Sequence, residues 1–330
     1  MTAAVPSDDD LVRALVTGDR RALARAITLV ESRRPEDIRR AHALLDAVLP
    51  KTGRARRVGV SGPPGAGKST LIEALGLHVT GLGLKLAVLA VDPSSTRSGG
   101  SILGDKTRMA ELAQAPLAYI RPSPSRGALG GVAERTREAM LLCEAAGFDV
   151  VIVETVGVGQ SEVAVADMVD LFALILAPGG GDELQGIKRG IVELAELVIV
   201  NKADGDLLGA AQHLAAEYVA ALSLLRPLSP AWKPEVVLCS ALQREGIAQV
   251  WATMERQRAA LEGASELDRR RRGQAKDWLW RQVSEGVVAE LRADASTRTL
   301  AQALEAQVEA GTLSTAVAAD RLIAAFRTKA

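Results

Sequence analysis

The stretch Gly62-Pro-Pro-Gly-Ala-Gly-Lys-Ser69 constrains this chain more than any other. It fits G-x-x-x-x-G-K-[ST], a loop whose backbone N–H groups close around phosphate oxygens. Arg57-Val-Gly-Val-Ser61 before it reads as a short buried strand, and Thr70-Leu-Ile-Glu-Ala-Leu-Gly76 after it reads as the start of a helix. An ordinary glycine-rich turn has no need of that context. Gly62, Gly65 and Gly67 let the backbone approach phosphate with no Cβ in the way. The helix N-terminus that follows adds partial positive charge. Pro63, Pro64 and Ala66 fill the loop, Lys68 is placed to reach the β- and γ-phosphates, and the Ser69 hydroxyl, with Thr70 behind it, to ligate Mg2+. The pattern predicts an α/β fold that holds a nucleoside triphosphate.

The remaining apolar runs support that architecture. Val58–Ser61, Leu86–Asp92, Val150–Glu154, Leu171–Ala177, Leu197–Asn201 and Val236–Ser240 are continuous rather than alternating in hydrophobicity, which predicts strands covered on both faces in a mostly parallel sheet flanked by helices. Three parts are expected: an N-terminal helical segment at 1–52, a phosphate-loop domain at 53–262, and a C-terminal helical arm at 263–330. In the first, Leu11, Leu15, Leu23, Ile27, Leu44, Leu45 and Val48 fall at helical spacing, and Pro35 suits the first position of a helix with Glu36 and Asp37 in its first turn. In the arm, Glu266–Arg292, Thr297–Val308 and Ser314–Arg327 read as helices. Trp280, Val283, Val287 and Leu291 form one apolar stripe there, suited to a dimer interface or to packing back on the same chain.

The second informative motif, Asn201-Lys-Ala-Asp204, follows a strand and resembles the guanine-reading element of GTP-binding proteins. A carboxylate at Asp204 accepts from both N1–H and the exocyclic amine of guanine, a pattern adenine lacks. The Lys202 stem suits the plane of the base, and Asn201 is placed to tie this loop to the phosphate loop. Ser240-Ala241-Leu242, at the end of another strand, resembles the last base-contacting loop, with the Ala241 N–H meeting O6.

Bulk properties exclude several classes. Lys+Arg and Asp+Glu are both 40 among 330 residues, so no net field draws nucleic acid or an anionic membrane. No apolar run is long enough to span a membrane, and Ser7-Asp-Asp-Asp10 is unlike a signal peptide. Cys143 and Cys239 sit in apolar contexts and read as reduced core residues of a cytoplasmic chain. His42, His78 and His213 are isolated. The run Asp268-Arg-Arg-Arg-Arg272 reads as a solvated or subunit-bridging face, and Glu193 and Glu196 as surface charge.

Three further segments leave strand ends. Asp92-Pro-Ser-Ser opens a Ser/Gly-rich loop running to Asp105 and Arg108, suited to a switch; Asp105 also suits the N-cap of a helix over 106–112. Glu154-Thr-Val-Gly157 stands where many GTPases carry D-x-x-G, its carboxylate near Mg2+ water and its glycine N–H near the γ-phosphate. Val158 occupies the position after that glycine where Ras-type GTPases carry glutamine. Ala177-Pro-Gly-Gly-Gly-Asp182-Glu183-Leu-Gln185-Gly-Ile-Lys188 is a glycine hinge followed by charge.

Taken together, Gly62–Thr70, Val91–Arg108, Arg121–Ser125, Leu129–Gly131, Glu154–Glu162, Gly181–Gly190 and Asn201–Asp204 resemble the MeaB/ArgK family of GTPases. The resemblance implies a homodimeric GTPase that assists an adenosylcobalamin-dependent acyl-CoA mutase, methylmalonyl-CoA mutase first among them, by gating cofactor loading and by protecting or reactivating it. It implies GTP or GDP with Mg2+ as ligands, and an acidic ring of Asp92, Asp105 and Glu154 with Lys68 and Ser69 around metal and water. Asp182, Glu183, Gln185 and Lys188 would relay nucleotide state to the mutase. Arg97, Arg108, Arg121 and Arg126 are the candidate arginine fingers. Two alternatives stand beside this reading: a nickel metallochaperone GTPase, against which two scattered cysteines and three scattered histidines argue, and a kinase of a periplasmic amino-acid-binding protein, against which N-K-x-D argues by favouring GTP over ATP.

Overall fold

The computed structural model describes residues 7–32, 34–91, 109–121, 129–155, 161–179 and 189–327. The chain forms two compact units, Met1–Arg270 and Arg271–Ala330. Asp92, Asp105, Gly157, Asp182, Glu183, Gln185 and Lys188 lie outside the described residues.

The first unit is built on a parallel sheet of β1 (Arg56–Ser61), β2 (Leu86–Val91), β3 (Ala118–Arg121), β4 (Val150–Thr155), β5 (Leu171–Leu176), β6 (Leu197–Val200) and β7 (Glu235–Leu238), in the order β3-β2-β4-β1-β5-β6-β7. Every residue of β2, β4, β5 and β6 is buried, as continuous apolar runs require of strands covered on both faces. β3 was not apparent in the sequence. It is four residues long, bracketed by Pro116 and Pro122, and lies at a sheet edge, where a neighbouring proline is tolerated. From β1 the chain passes to β2 on one side, and from β5 to β6 on the other, so β1 and β5 flank a topological switch point.

Helices α1 (Asp8–Val16), α2 (Arg20–Val30) and α3 (Pro35–Val48) precede the sheet. Asp19 caps α2 by accepting from the Arg21 and Ala22 N–H groups at 2.7 and 2.8 Å. Pro35 occupies the first turn of α3 with Glu36 and Asp37 behind it, as the sequence predicts. Arg121, at the end of β3, pairs with Glu31 just after α2, and Arg20 donates to the Pro116 carbonyl at 3.4 Å, so the helices are tied to the edge strand. The later elements are α4 (Lys68–Gly81), α5 (Ala110–Gln114), α6 (Leu129–Ala145), α7 (Ser161–Ala166), α8 (Arg189–Leu194), α9 (Leu208–Ser223) and α10 (Ile247–Gly263). The main core lies between α4, α10 and the sheet, around Leu71, Ile72, Leu75, Val88, Ile152 and Ile175. Cys143 and Cys239 are buried and free, and burial pushes the Cys239 thiol up to about 12.

α11 (Glu266–Ala293) crosses the division at Arg270, and α12 (Ala295–Glu309) and α13 (Thr315–Arg327) complete the second unit. Asp294 caps α12, accepting from the Thr297 N–H at 2.7 Å. Two expectations about charge are corrected. Glu196 is not surface charge: it is 3% exposed and receives the Arg270 guanidinium at 2.8 Å on each carboxylate oxygen. Arg270, within the basic run, is therefore an internal anchor rather than part of a solvated face. Burial makes that fork necessary, because a lone carboxylate there would be costly. Among the described residues, no helix is long and apolar enough to cross a membrane.

Candidate functional site

The carboxyl ends of all seven strands share one edge, and the phosphate loop leaves β1 at its centre. Gly62 passes so close to β5 that a Cβ there would lie 2.2 Å from the Ile175 carbonyl oxygen. Gly67 caps α4 in a left-handed conformation (φ +86°), and a Cβ on it would meet Asn201 Nδ2 at 2.5 Å. Both positions therefore demand glycine. No side chain caps α4, so its first-turn N–H groups face the loop as anion donors. Lys68 Nζ folds across the loop and donates to the Gly62 and Pro63 carbonyls at 2.8 and 3.1 Å.

Beside the loop, Ser69 Oγ donates to Glu154 Oε1 at 3.1 Å. Glu154 is 4% exposed and pairs in register with Val60 of β1, so the strand pairing itself delivers the carboxylate to the head of α4. Thr155 Oγ1 donates to Ser61 Oγ at 2.8 Å and locks the two strand ends together, a contact with no motif to announce it. A hydroxyl and a carboxylate oxygen in contact at the phosphate loop are hard donors of the kind Mg2+ takes, so these residues fit that ion.

Asn201 joins the loops. It is 2% exposed; its Nδ2 donates to the Ala66 carbonyl at 2.9 Å, and its Oδ1 accepts the Ala241 N–H at 2.9 Å. The link from Asn201 to the phosphate loop is the one expected. The Ala241 N–H, expected on the base, is here donated to Asn201. Ser240 Oγ donates to Asp204 and accepts the Gln243 N–H at 3.1 Å, which fixes the Asp204 carboxylate beside the Ser240–Leu242 turn. Lys202 is exposed with φ +58°.

Of the four candidate arginine fingers only Arg121 falls among the described residues, and its guanidinium is held by Glu31. The acidic and switch residues outside the described set follow, in the chain, β2, β4 and β5, whose carboxyl ends lie on the edge that carries the phosphate loop.

Comparison with known proteins agrees with this geometry. Residues 23–296 match the family described as methylmalonyl Co-A mutase-associated GTPase MeaB. The chain is 50% identical over 331 residues to the mitochondrial methylmalonic aciduria type A homolog of Mus musculus, covering 97% of this chain and 80% of that one. It is 51% identical over 286 residues to the GTPase ArgK of Escherichia coli, covering 86% of each. The crystal structure of an LAO/AO transport system kinase superposes with a TM-score of 0.80 at 40% identity, covering 98% of this chain and all of that one. With a phosphate loop, a neighbouring acidic strand end and the Asn201–Asp204 and Ser240–Leu242 loops on one sheet edge, and with that family match across most of its length, this chain belongs to the MeaB family of methylmalonyl-CoA mutase-associated GTPases.

Proposed function

We propose that this chain binds and hydrolyses GTP and, as a homodimer in the cytoplasm, serves as chaperone to an adenosylcobalamin-dependent acyl-CoA mutase, methylmalonyl-CoA mutase in the first instance. The observation that carries the nucleotide reading is the Asn201 side chain, which bridges the phosphate loop to the Ser240–Leu242 turn and so couples base recognition to phosphate binding. The family match supports the mutase as client.

Gly62 to Thr70 hold the phosphates with backbone N–H groups and the head of α4, and Lys68 exchanges its carbonyl partners for phosphate oxygens. Asp204, kept in place by Ser240, accepts from the guanine edge. Ser69, with Glu154, Asp92 and Asp105, would hold Mg2+, which would supply charge neutralisation at the phosphates. Glu154, buried and fixed by β4, orients the attacking water by accepting its proton-bearing side, directly or through its neighbours. In-line attack needs positioning and electrostatic stabilisation more than a strong base. Asp182, Glu183, Gln185 and Lys188 carry nucleotide state to the client.

GTP turnover measured with and without the purified mutase tests the assignment. Stimulation well above the basal rate is expected, and unchanged turnover with no complex would remove the mutase as client. Glu154→Gln is expected to keep nucleotide binding and depress hydrolysis; parent-like turnover would remove Glu154 from the water-orienting role.

A further inference from the structure

The tip of the base-recognition turn is strapped to a neighbouring element. Within the turn, Ser240 and Glu245 exchange two backbone hydrogen bonds of 3.0 Å, which close a short antiparallel bridge and push residues 242–244 outward. Arg244 sits at that tip in a left-handed conformation, φ +58°, which is uncommon for an arginine. Its Nη2 donates to both carboxylate oxygens of Glu111, at 2.8 and 2.7 Å. Glu111 belongs to α5, and its own N–H donates to Glu73 Oε1 at 2.9 Å. Glu73 stands one turn beyond Ser69 on α4, the helix that heads the phosphate loop. A circuit therefore closes: phosphate loop to Asn201, Asn201 to Ala241, the turn to Arg244, Arg244 to Glu111, Glu111 to Glu73, and back along α4.

We propose that Arg244 and Glu111 are a positioning pair that holds the Ser240–Gly246 turn closed on the guanine base and so sets the rate of nucleotide release. The proposal rests on the guanine-nucleotide reading above. Neither side chain needs to touch nucleotide. Arg244 acts through Ser240 and Ala241, whose contacts to Asp204 and Asn201 depend on where the turn lies. Both partners are more than half exposed, at 56% and 63%, so the strap is sensitive to salt and open to competition by a docking partner.

Release of a fluorescent GDP analogue from the full-length chain tests the pair. Arg244→Ala and Glu111→Ala are each expected to speed release by about two- to fivefold, the range an exposed ion pair supplies. The double variant is expected to release no faster than either single one, because both remove the same interaction. Arg244→Lys should recover part of the retention, and the gap between parent and Arg244→Ala should close in about 1 M salt, where screening is nearly complete. Arg244→Gly separates strapping from folding: glycine relaxes the left-handed backbone, so its thermal midpoint should be no lower than the parent's while release is still faster. Parent-like release from Arg244→Gly and Glu111→Ala, or strictly additive effects in the double variant, would overturn the proposal. A parent chain that retains no GDP would instead overturn the guanine reading, and the strap with it.

Discussion

On the proposed guanine reading, one oxygen of Asp204, held in place by Ser240, would decide which base this site accepts. The Ser240 hydroxyl donates to one carboxylate oxygen of Asp204, and the other oxygen would be the acceptor offered to a base. A carboxylate has no donor to offer, and guanine presents two donor groups on the matching edge. Asp204→Asn replaces half of that acceptor with an amide donor. The variant should lose guanine affinity by about ten- to a hundredfold, the worth of a charge-assisted hydrogen bond, and gain affinity for xanthine nucleotides, which carry an acceptor in place of the exocyclic amine. Titration with GDP and XDP checks both directions; an unaltered preference would show that Asp204 does not read the base. At this scale much of the site was legible. Asn201 and Lys68 lie where their motifs put them, because those motifs follow a strand and the strand end fixes the backbone. The Ser61–Thr155 contact and the Arg244–Glu111 pair had no motif, since each forms between segments far apart in sequence whose approach is decided by strand order.

Elements were readable where burial is two-sided or capping chemistry is local. The all-apolar strands and the proline start of α3 are of that kind. β3 was missed because four residues between prolines give too short a signal, and Glu196 was misread because its partner Arg270 is 74 residues away. A charge looks like surface until its partner is known. α6 carries a related case in Glu138. Burial, reinforced by the Glu134 carboxylate one turn earlier, pushes Glu138 up from 4.5 to about 8, with Arg135 and Arg137 opposing. The folded chain then binds more protons than the unfolded one between those two values, so stability falls as pH rises from about 4.5 to about 8. Glu138→Gln is neutral at every pH and escapes that loss. Unfolding free energies from urea titrations should match the parent's near pH 4 and exceed them at pH 9, by an amount on the order of a few kcal/mol. An equal gain at both pH values would mean that packing, not ionisation, is what the substitution changes.

For the whole molecule, the sheet order brings the phosphate loop, the acidic end of β4 and the Asn201–Asp204 and Ser240–Leu242 loops to one edge, a convergence no single motif states. The sequence pattern implied a parallel sheet but left its order open, because order depends on which crossovers pack best rather than on any strand's own residues. The second unit poses a different problem, since α11 carries an exposed apolar stripe. On α11, Trp280 is 61% exposed, Val283 43% and Val287 47%, at spacings of three and four residues that place them on one helical face. A face of this kind in water costs roughly 25 cal/mol for each Å² of apolar area left uncovered. Pairing two copies through the same stripe would remove that cost for both, and an isologous contact of that type closes as a dimer without leaving a free copy of the surface. Val287→Asp would set a carboxylate at the middle of the paired faces, where burying it unpartnered costs several kcal/mol. Light scattering should then report a monomer for Val287→Asp and a dimer for the parent, with GDP binding by the first unit retained in both. A variant that remains dimeric would move the interface off this stripe, and a monomeric parent would show that the stripe is covered by something other than a second copy.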